Sequence, residues 1–128
     1  MTMRRPEVSV IIPHYDDLTG LGLCLDSLCS QSASMEDTVE IVVADNNSPC
    51  GREAVEDLVR GRARVVVALE KGAGPARNAG IAAARGSLLA FTDSDCIPEP
   101  GWLSAGLATL ERFDLVGGRM EVLVGAED

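Results

Sequence analysis

The sequence predicts an α/β protein with a Rossmann-like, mostly parallel sheet and helices on both faces. Two observations predict this class. Short β-branched apolar runs alternate with segments whose leucines or alanines recur at helical spacing, and each apolar run is followed by polar, acidic or glycine residues. Alternating strands and helices form parallel sheets, which bind ligands at the carboxyl ends of their strands. The length fits a single domain over residues 1–128.

The first two strand–helix units occupy the N-terminal half of the chain. Residues 8–12 are apolar and mostly β-branched, and they predict a buried strand that ends at Pro13, which cannot donate to a ladder. Asp16 or Asp17 is then available to cap a helix whose leucines recur at helical spacing. The second unit is expected to be a strand over residues 39–44 and a helix over residues 52–60 that is closed by Gly61.

Two further units complete the pattern. Residues 70–75 are expected to form a glycine-bearing loop, and the Ala-rich residues 76–85 a helix that ends at Gly86. Its small side chains would let this helix pack closely on the sheet. The remaining expected elements are strands over residues 64–69 and 88–91, a helix over residues 101–112 and a last extended segment over residues 115–124.

Composition excludes several classes of protein. Eleven Lys and Arg against twenty Asp and Glu give a net charge of −9, so nucleic acid is not expected as a partner. The four cysteines lack the spacing of a zinc site and are expected to be reduced thiols. The first apolar run is too short for a signal peptide or a membrane span. A cytoplasmic location is therefore expected, with the cytoplasmic face of a membrane as the alternative for a full-length parent.

Polar residues follow the predicted strands and are expected to cluster at one edge of the sheet. Asp93 and Asp95 follow the fourth strand two residues apart, so an extended backbone would direct both carboxylates to the same face. Carboxylates are ligands of Mg²⁺ and Mn²⁺, which take one or two of them and complete their shells with phosphate oxygens. A turn that caps the next helix is the alternative, because Asp and Ser favour such turns.

Three more residues at this edge are candidates for binding a nucleotide. Arg77 could reach a phosphate or a base carbonyl, or only form a surface ion pair. Tyr15 could stack on a base or pack in the core, and His14 could face the cleft or bridge a loop. The glycine loop lacks the third glycine of a dinucleotide fingerprint, and the chain has no P-loop motif.

Taken in order, five segments resemble the N-terminal half of a family 2 glycosyltransferase of the GT-A fold. The resemblance covers residues 8–120. It implies transfer of a sugar, with inversion, from a UDP- or GDP-linked donor to an acceptor hydroxyl, with Mn²⁺ or Mg²⁺ bound at a D-x-D motif. The segments are V-S-V-I-I-P-H-Y-D-D, C-L-D-S-L, E-I-V-V-A-D-N-N-S, K-G-A-G-P-A-R-N-A-G-I and F-T-D-S-D-C-I-P.

The resemblance also implies a role for each matching position. Pro13 and Tyr15 would lie against the base, Asp45 would hydrogen-bond its edge, Arg77 would approach the base or diphosphate, Asp93 would meet the ribose and Asp95 the metal. In inverting members the base that deprotonates the acceptor lies well downstream of D-x-D. It is therefore expected beyond Asp128, and no catalytic residue is nominated. The chain alone is expected to be a truncated piece that binds donor but transfers little.

Two rival functions and one structural consequence accompany this hypothesis. A sugar-phosphate nucleotidyltransferase would need a glycine-rich, basic loop after the first strand, where this chain has Pro13-His14-Tyr15-Asp16. A non-catalytic binding or oligomerisation module would use the acidic edge only as turn chemistry. A truncated sheet would also leave an open edge strand, so self-association through that edge is expected. The acceptor is not identified.

Overall fold

Four apolar runs form a parallel sheet in the computed structural model, which describes residues 6–114 and 116–117. The strand order is β3-β2-β1-β4, and every neighbouring pair is parallel. The predicted α/β class is confirmed. The strands are β1 (Val8–His14), β2 (Val39–Asp45), β3 (Arg64–Val67) and β4 (Leu88–Phe91), and the helices are α1 (Leu18–Ser32), α2 (Arg52–Val59), α3 (Ala73–Ala83) and α4 (Trp102–Leu110), with a 3₁₀ helix at Ala33–Thr38.

Most predicted bounds agree with the structure to within two residues, and that of β4 agrees fully. Asp17, one of the two predicted caps, is the N-cap of α1, and its side chain accepts a hydrogen bond from the Gly20 N–H at 3.1 Å. Residues 116 and 117 belong to no strand, and the rest of the extended segment predicted over residues 115–124 lies outside the described residues. None of the helices in the described ranges combines the length and the apolarity that crossing a bilayer requires.

Helices cover both faces of the sheet, which explains why the central strand β1 is apolar at successive positions. Val10 and Ile12 face a core that also contains Leu25 of α1, Val55 of α2 and Leu103 of α4. The opposite face packs on α3. Its small core holds alanines from β2, α3 and the end of β3, namely Ala44, Ala68 and Ala76. A strand buried on both sides cannot show the alternation of an exposed sheet.

Pro13 does not end β1 as predicted. β1 continues through His14, which still pairs with β2. Successive residues of a strand direct their backbone groups to opposite neighbours. The Ile11 carbonyl accepts from the Thr92 N–H on the β4 side at 3.2 Å, and Pro13, two residues on, points to that same side. Pro13 lacks an N–H on the side of β4, where that strand has already ended. The pairing between β1 and β2 is therefore undisturbed.

The second half of the predicted glycine loop, residues 73–75, is the first turn of α3. This helix spans Ala73–Ala83 rather than residues 76–85. Gly72 precedes it with a φ of +122°, a conformation that suits glycine. Pro75 fits into the first turn because backbone N–H groups there have no partner within the helix. Arg77 consequently lies one turn inside α3 instead of opening it.

Glu40 joins three elements at the amino-terminal end of the sheet. Its carboxylate accepts hydrogen bonds from Ser9 Oγ at 2.5 Å, the Arg85 backbone N–H at 2.6 Å and Arg64 Nη2 at 2.9 Å. Burial alone would raise the pKa of Glu40, but these hydrogen bonds and the charge of Arg64 hold the pKa below its ordinary value. Glu40 therefore stabilises the fold as an anion.

Replacing Glu40 by Gln should lower the free energy of unfolding at neutral pH by about 1–3 kcal/mol, because the three donors would lose a charged acceptor. A group with a lowered folded-state pKa stabilises fully above its unfolded pKa, and that stability is lost as the pH falls through the folded value. Urea unfolding of both proteins should therefore show a difference that narrows as the pH falls below 4.5. A difference that stays constant through acidic pH would contradict the assignment.

Candidate active site

The carboxyl ends of β1, β2 and β4 and the first turns of α3 enclose one cleft of about 450 Å³. Five of the six residues to which the resemblance gives a role line it, and Asp45 does not. The cleft lies where parallel sheets bind ligands. Its lining residues are Pro13, His14, Tyr15, Asp17, Asn46, Gly72, Ala73, Ala76, Arg77, Asp93, Ser94 and Asp95.

The loop after β4 carries the acidic cluster. It leaves the ladder after Thr92, and a hydrogen bond of 3.0 Å from the Cys96 N–H to the Asp93 carbonyl then closes a turn. Ser94 is buried, whereas Asp93 and Asp95 are exposed. Ligand atoms of Asp93, Asp95 and Cys96 lie within 4.8 Å of one another. The loop is thus a turn, but it does not cap the next helix, because α4 is preceded by Gly101 and has no side-chain cap. The turn also brings carboxylate oxygens close enough together to share a cation.

Burial and the two aspartates act on the thiols near this loop. Burial raises the pKa of Cys24 to about 12, with smaller contributions from Cys96, Asp93 and Asp95. Burial and the charge of Asp95 also raise the pKa of Cys96. Both side chains are therefore neutral thiols at physiological pH. The hard oxygen atoms of the two carboxylates are the donors that this loop offers to a divalent cation.

Arg77 brings a positive charge to the acidic loop. Its Nη2 atom lies 3.5 Å from Asp93 Oδ1, and the two side chains are 42% and 53% exposed. An ion pair of this length and exposure contributes little to stability. The guanidinium is therefore available to an anion that enters the cleft at the N-terminal end of α3, where the helix dipole also favours negative charge.

Tyr15 and Pro13 also line the cleft. Tyr15 is 59% exposed, so the alternative that it packs in the core does not hold. The next residue, Asp16, has a φ of +48°, a left-handed conformation that is uncommon for a residue with a side chain. An exposed aromatic ring beside a half-buried proline offers a flat apolar surface of the kind on which a base can stack.

His14 bridges the loops, which is one of the two roles foreseen for it. Its side chain is buried, and Nδ1 lies 2.8 Å from Asp45 Oδ1. Nε2 accepts from the Asp17 N–H at 2.9 Å. Both ring nitrogens therefore have partners within the protein, although an edge of the residue lines the cleft.

Asp45 is buried, and its carboxylate is turned toward the protein. It is 1% exposed, and Oδ2 accepts from the Ser48 N–H at 3.0 Å while Oδ1 contacts His14 and the Ser48 hydroxyl. A direct contact between Asp45 and a base stays a prediction, and it would require one of these internal bonds to be given up.

Asn46 lines the cleft but received no role in the sequence analysis. Its Nδ2 group donates to the Ala68 and Glu70 carbonyls at 3.1 and 2.7 Å, and its Oδ1 accepts from the Gly72 N–H at 2.9 Å. Asn46 thus fixes the segment that leads into α3. The signal for it was present in the Asp45-Asn46-Asn47-Ser48 run, because neighbouring residues at a strand end point in opposite directions.

Comparison with known proteins assigns the family. Residues 9–124 match the model described as Glycosyl transferase family 2. The chain belongs to this family. Glycosyltransferase AglE of Haloferax volcanii is 36% identical to this chain over 127 residues. The aligned region covers 94% of this chain and 41% of AglE.

Solved structures agree with this assignment. Mannosyltransferase PcManGT from Pyrobaculum calidifontis, in complex with GDP-Man and Mn²⁺, has a TM-score of 0.69 and 27% identity over 84% of this chain and 33% of its own. Glucosyl-3-phosphoglycerate synthase from Mycobacterium tuberculosis, in complex with Mn²⁺, UDP and glucosyl-3-phosphoglycerate, has a TM-score of 0.65 and 27% identity over 83% of this chain and 39% of its own. The GT-A fold implied by the resemblance is confirmed. The family 2 glycosyltransferase chain spans less than half the length of each of these proteins.

Proposed function

We propose that this chain is the donor-binding part of an inverting glycosyltransferase that takes a sugar from a UDP- or GDP-linked donor to an acceptor hydroxyl. The observation that carries the proposal is the shared cleft, whose lining includes the carboxylates of Asp93 and Asp95, the guanidinium of Arg77 and the exposed residue Tyr15. A nucleoside diphosphate has a flat base at one end and a doubly charged group at the other. The cleft offers a complementary surface to each end.

A divalent cation fits the residues at this edge. Mg²⁺ and Mn²⁺ bind hard oxygen atoms, and they take one or two protein carboxylates together with phosphate oxygens. Asp95 would hold the ion, and Asp93 would stay free to contact the ribose. A bound cation of this kind neutralises charge that develops on the diphosphate leaving group.

The protein side chains of the cleft bind and orient the donor. Pro13 and Tyr15 would lie against the base, and Arg77 would pair with the diphosphate in the geometry that suits a guanidinium. A base edge that reaches toward the end of β2 would meet Asn46 first, because Asn46 lines the cleft whereas Asp45 is buried and does not. Transfer itself also needs a base to deprotonate the acceptor, and we assign that role to no residue of the chain.

Calorimetry with UDP and GDP, each in the presence of Mn²⁺ and of excess EDTA, tests this function. We expect at least one nucleotide to bind in Mn²⁺ and its affinity to fall by about tenfold or more in EDTA, because the diphosphate would then face the two carboxylates without a cation. Equal affinity in both conditions would refute the metal site. No binding of either nucleotide would favour the non-catalytic module.

We also propose that the chain self-associates through β4. Within the described residues no strand pairs with the outer edge of β4, and Leu88 and Phe91 are 38% and 42% exposed. An apolar edge strand is a template for a second chain. Light scattering over a range of concentrations should show a mass above that of the monomer. Leu88→Lys, at the end of β4 remote from the acidic loop, should restore the monomer, and a monomeric wild type at high concentration would contradict the proposal.

A further inference from the structure

A buried hydrogen-bond network joins the turn after β1 to the turn after β2. At its centre is Asp45 Oδ1, which lies 2.8 Å from His14 Nδ1 and 2.6 Å from Ser48 Oγ. Each of these partners also accepts a hydrogen bond from the backbone of the first turn. The Asp17 N–H donates to His14 Nε2 at 2.9 Å, and the Asp16 N–H donates to Ser48 Oγ at 2.8 Å.

The donors determine where the protons lie in this network. Because Nε2 of His14 accepts from a backbone N–H, it carries no proton, and the neutral ring must carry its proton on Nδ1. That proton is donated to Asp45 Oδ1. The Ser48 hydroxyl likewise donates to Asp45 Oδ1, which leaves an oxygen lone pair for the Asp16 N–H. A single carboxylate therefore turns both side chains so that each presents an acceptor to the first turn.

These acceptors hold the backbone immediately after Tyr15. The N–H groups of Asp16 and Asp17 are the two that follow Tyr15 in the chain, and both are bound by the network while the Tyr15 ring stays exposed. Asp16, whose N–H is held by Ser48 of the other turn, is also the residue with the left-handed φ of +48°.

We propose that Asp45, His14 and Ser48 are positioning residues for the nucleotide base, and that Asp45 acts on Tyr15 through the other two rather than by touching the base. The inference rests on the proposed function, in which Tyr15 stacks on the base. A positioning role is compatible with the burial of Asp45, whereas a direct contact with the base would require Asp45 to be exposed. The orientation of the Tyr15 ring would then depend on the turn after β2 as well as on its own turn.

The composition of the chain makes the test direct, because the protein contains one His and one Tyr. Nitrogen-15 NMR of the labelled histidine, without nucleotide, should show a protonated Nδ1 and an unprotonated Nε2 at neutral pH. The ring signals of labelled tyrosine then report Tyr15 alone. A proton on Nε2 would overturn the proposal.

Ser48→Ala removes the acceptor of the Asp16 N–H, and Ser48→Thr keeps a hydroxyl. In the presence of Mn²⁺, Ser48→Ala should weaken the binding of UDP or GDP, whichever binds the wild type more tightly, by about three- to tenfold, the effect of one lost hydrogen bond. It should also shift the Tyr15 signals, and Ser48→Thr should restore both readouts. Unchanged affinity together with unchanged Tyr15 signals would overturn the proposal.

A stability control separates positioning from loss of structure. Val59 is buried at the end of α2 and does not line the cleft. Val59→Ala should lower the melting temperature and leave both nucleotide affinity and the Tyr15 signals as in the wild type; weakened binding in this variant to the same degree would overturn a specific role for the network. If the wild type binds no nucleotide, the proposed function fails, and the Tyr15 signals of Ser48→Ala still decide whether the network positions the turn.

Discussion

Asp95→Asn should weaken metal-dependent nucleotide binding by about tenfold or more, a loss of about 1.4 kcal/mol or greater. The substitution keeps the size of the side chain and removes its charge. An amide oxygen is a poorer ligand for Mn²⁺ than a carboxylate, and Asp93, which already faces Arg77, would be the one remaining carboxylate of the pair. Calorimetric titration of UDP or GDP in Mn²⁺ measures the change.

Glu99→Gln is the matched control for this prediction. Glu99 is an exposed acid that follows the same loop, yet it does not line the cleft. Its substitution changes the net charge by the same amount, so it should leave nucleotide affinity close to that of the wild type. In EDTA, Asp95→Asn should not bind more weakly than the wild type. An equal loss in Glu99→Gln would mean that overall charge, and not a metal ligand, controls binding.

The order of strands and helices could be predicted because each element buries a recognisable face. The apolar run of β4 predicts both of its ends, and the start of α1 lies at Asp17, one of its two candidate caps. The end of β1 was predicted too early, at Pro13. The cost of a missing N–H depends on which neighbouring strand it faces, and the sequence does not show which of the two strands that is. The predicted start of α3 is three residues too late, because glycine and proline are typical both of loops and of first helical turns.

The site was predictable to the extent that strand ends meet at one edge. That rule brings Asp93, Asp95, Arg77 and Tyr15 together, and the structure agrees. It does not say which polar residue after a strand faces the cleft. The family resemblance implies a base contact for Asp45, but Asp45 is the last residue of β2 and forms its hydrogen bonds inside the protein. Its partner His14 is the last residue of β1, 31 residues away in the chain, and no local pattern encodes that contact.

Gly80→Ala should lower the free energy of unfolding by about 1–3 kcal/mol, although alanine is the better helix former by about 1 kcal/mol. A Cβ at this position would lie 2.5 Å from Ile11 Cγ2 and 3.6 Å from Ala44 Cβ. Ile11 is fully buried in the central strand, so it cannot move aside without disturbing its neighbours. Steric overlap should therefore outweigh helix propensity. Urea unfolding, monitored by circular dichroism, measures the difference.

The control comes from the same helix. A Cβ built on Gly74 meets no atom within 4 Å, so Gly74→Ala should be neutral or stabilise the protein by up to about 1 kcal/mol. Opposite signs for the two substitutions would show that α3 is held against β1 by a close approach that only glycine permits. Because Arg77 lies on the same helix one turn before Gly80, a displacement of α3 should also move the guanidinium away from Asp93. Gly80→Ala is then expected to weaken nucleotide binding as well, and Gly74→Ala to do so less; equal stability in the two variants would refute the steric argument.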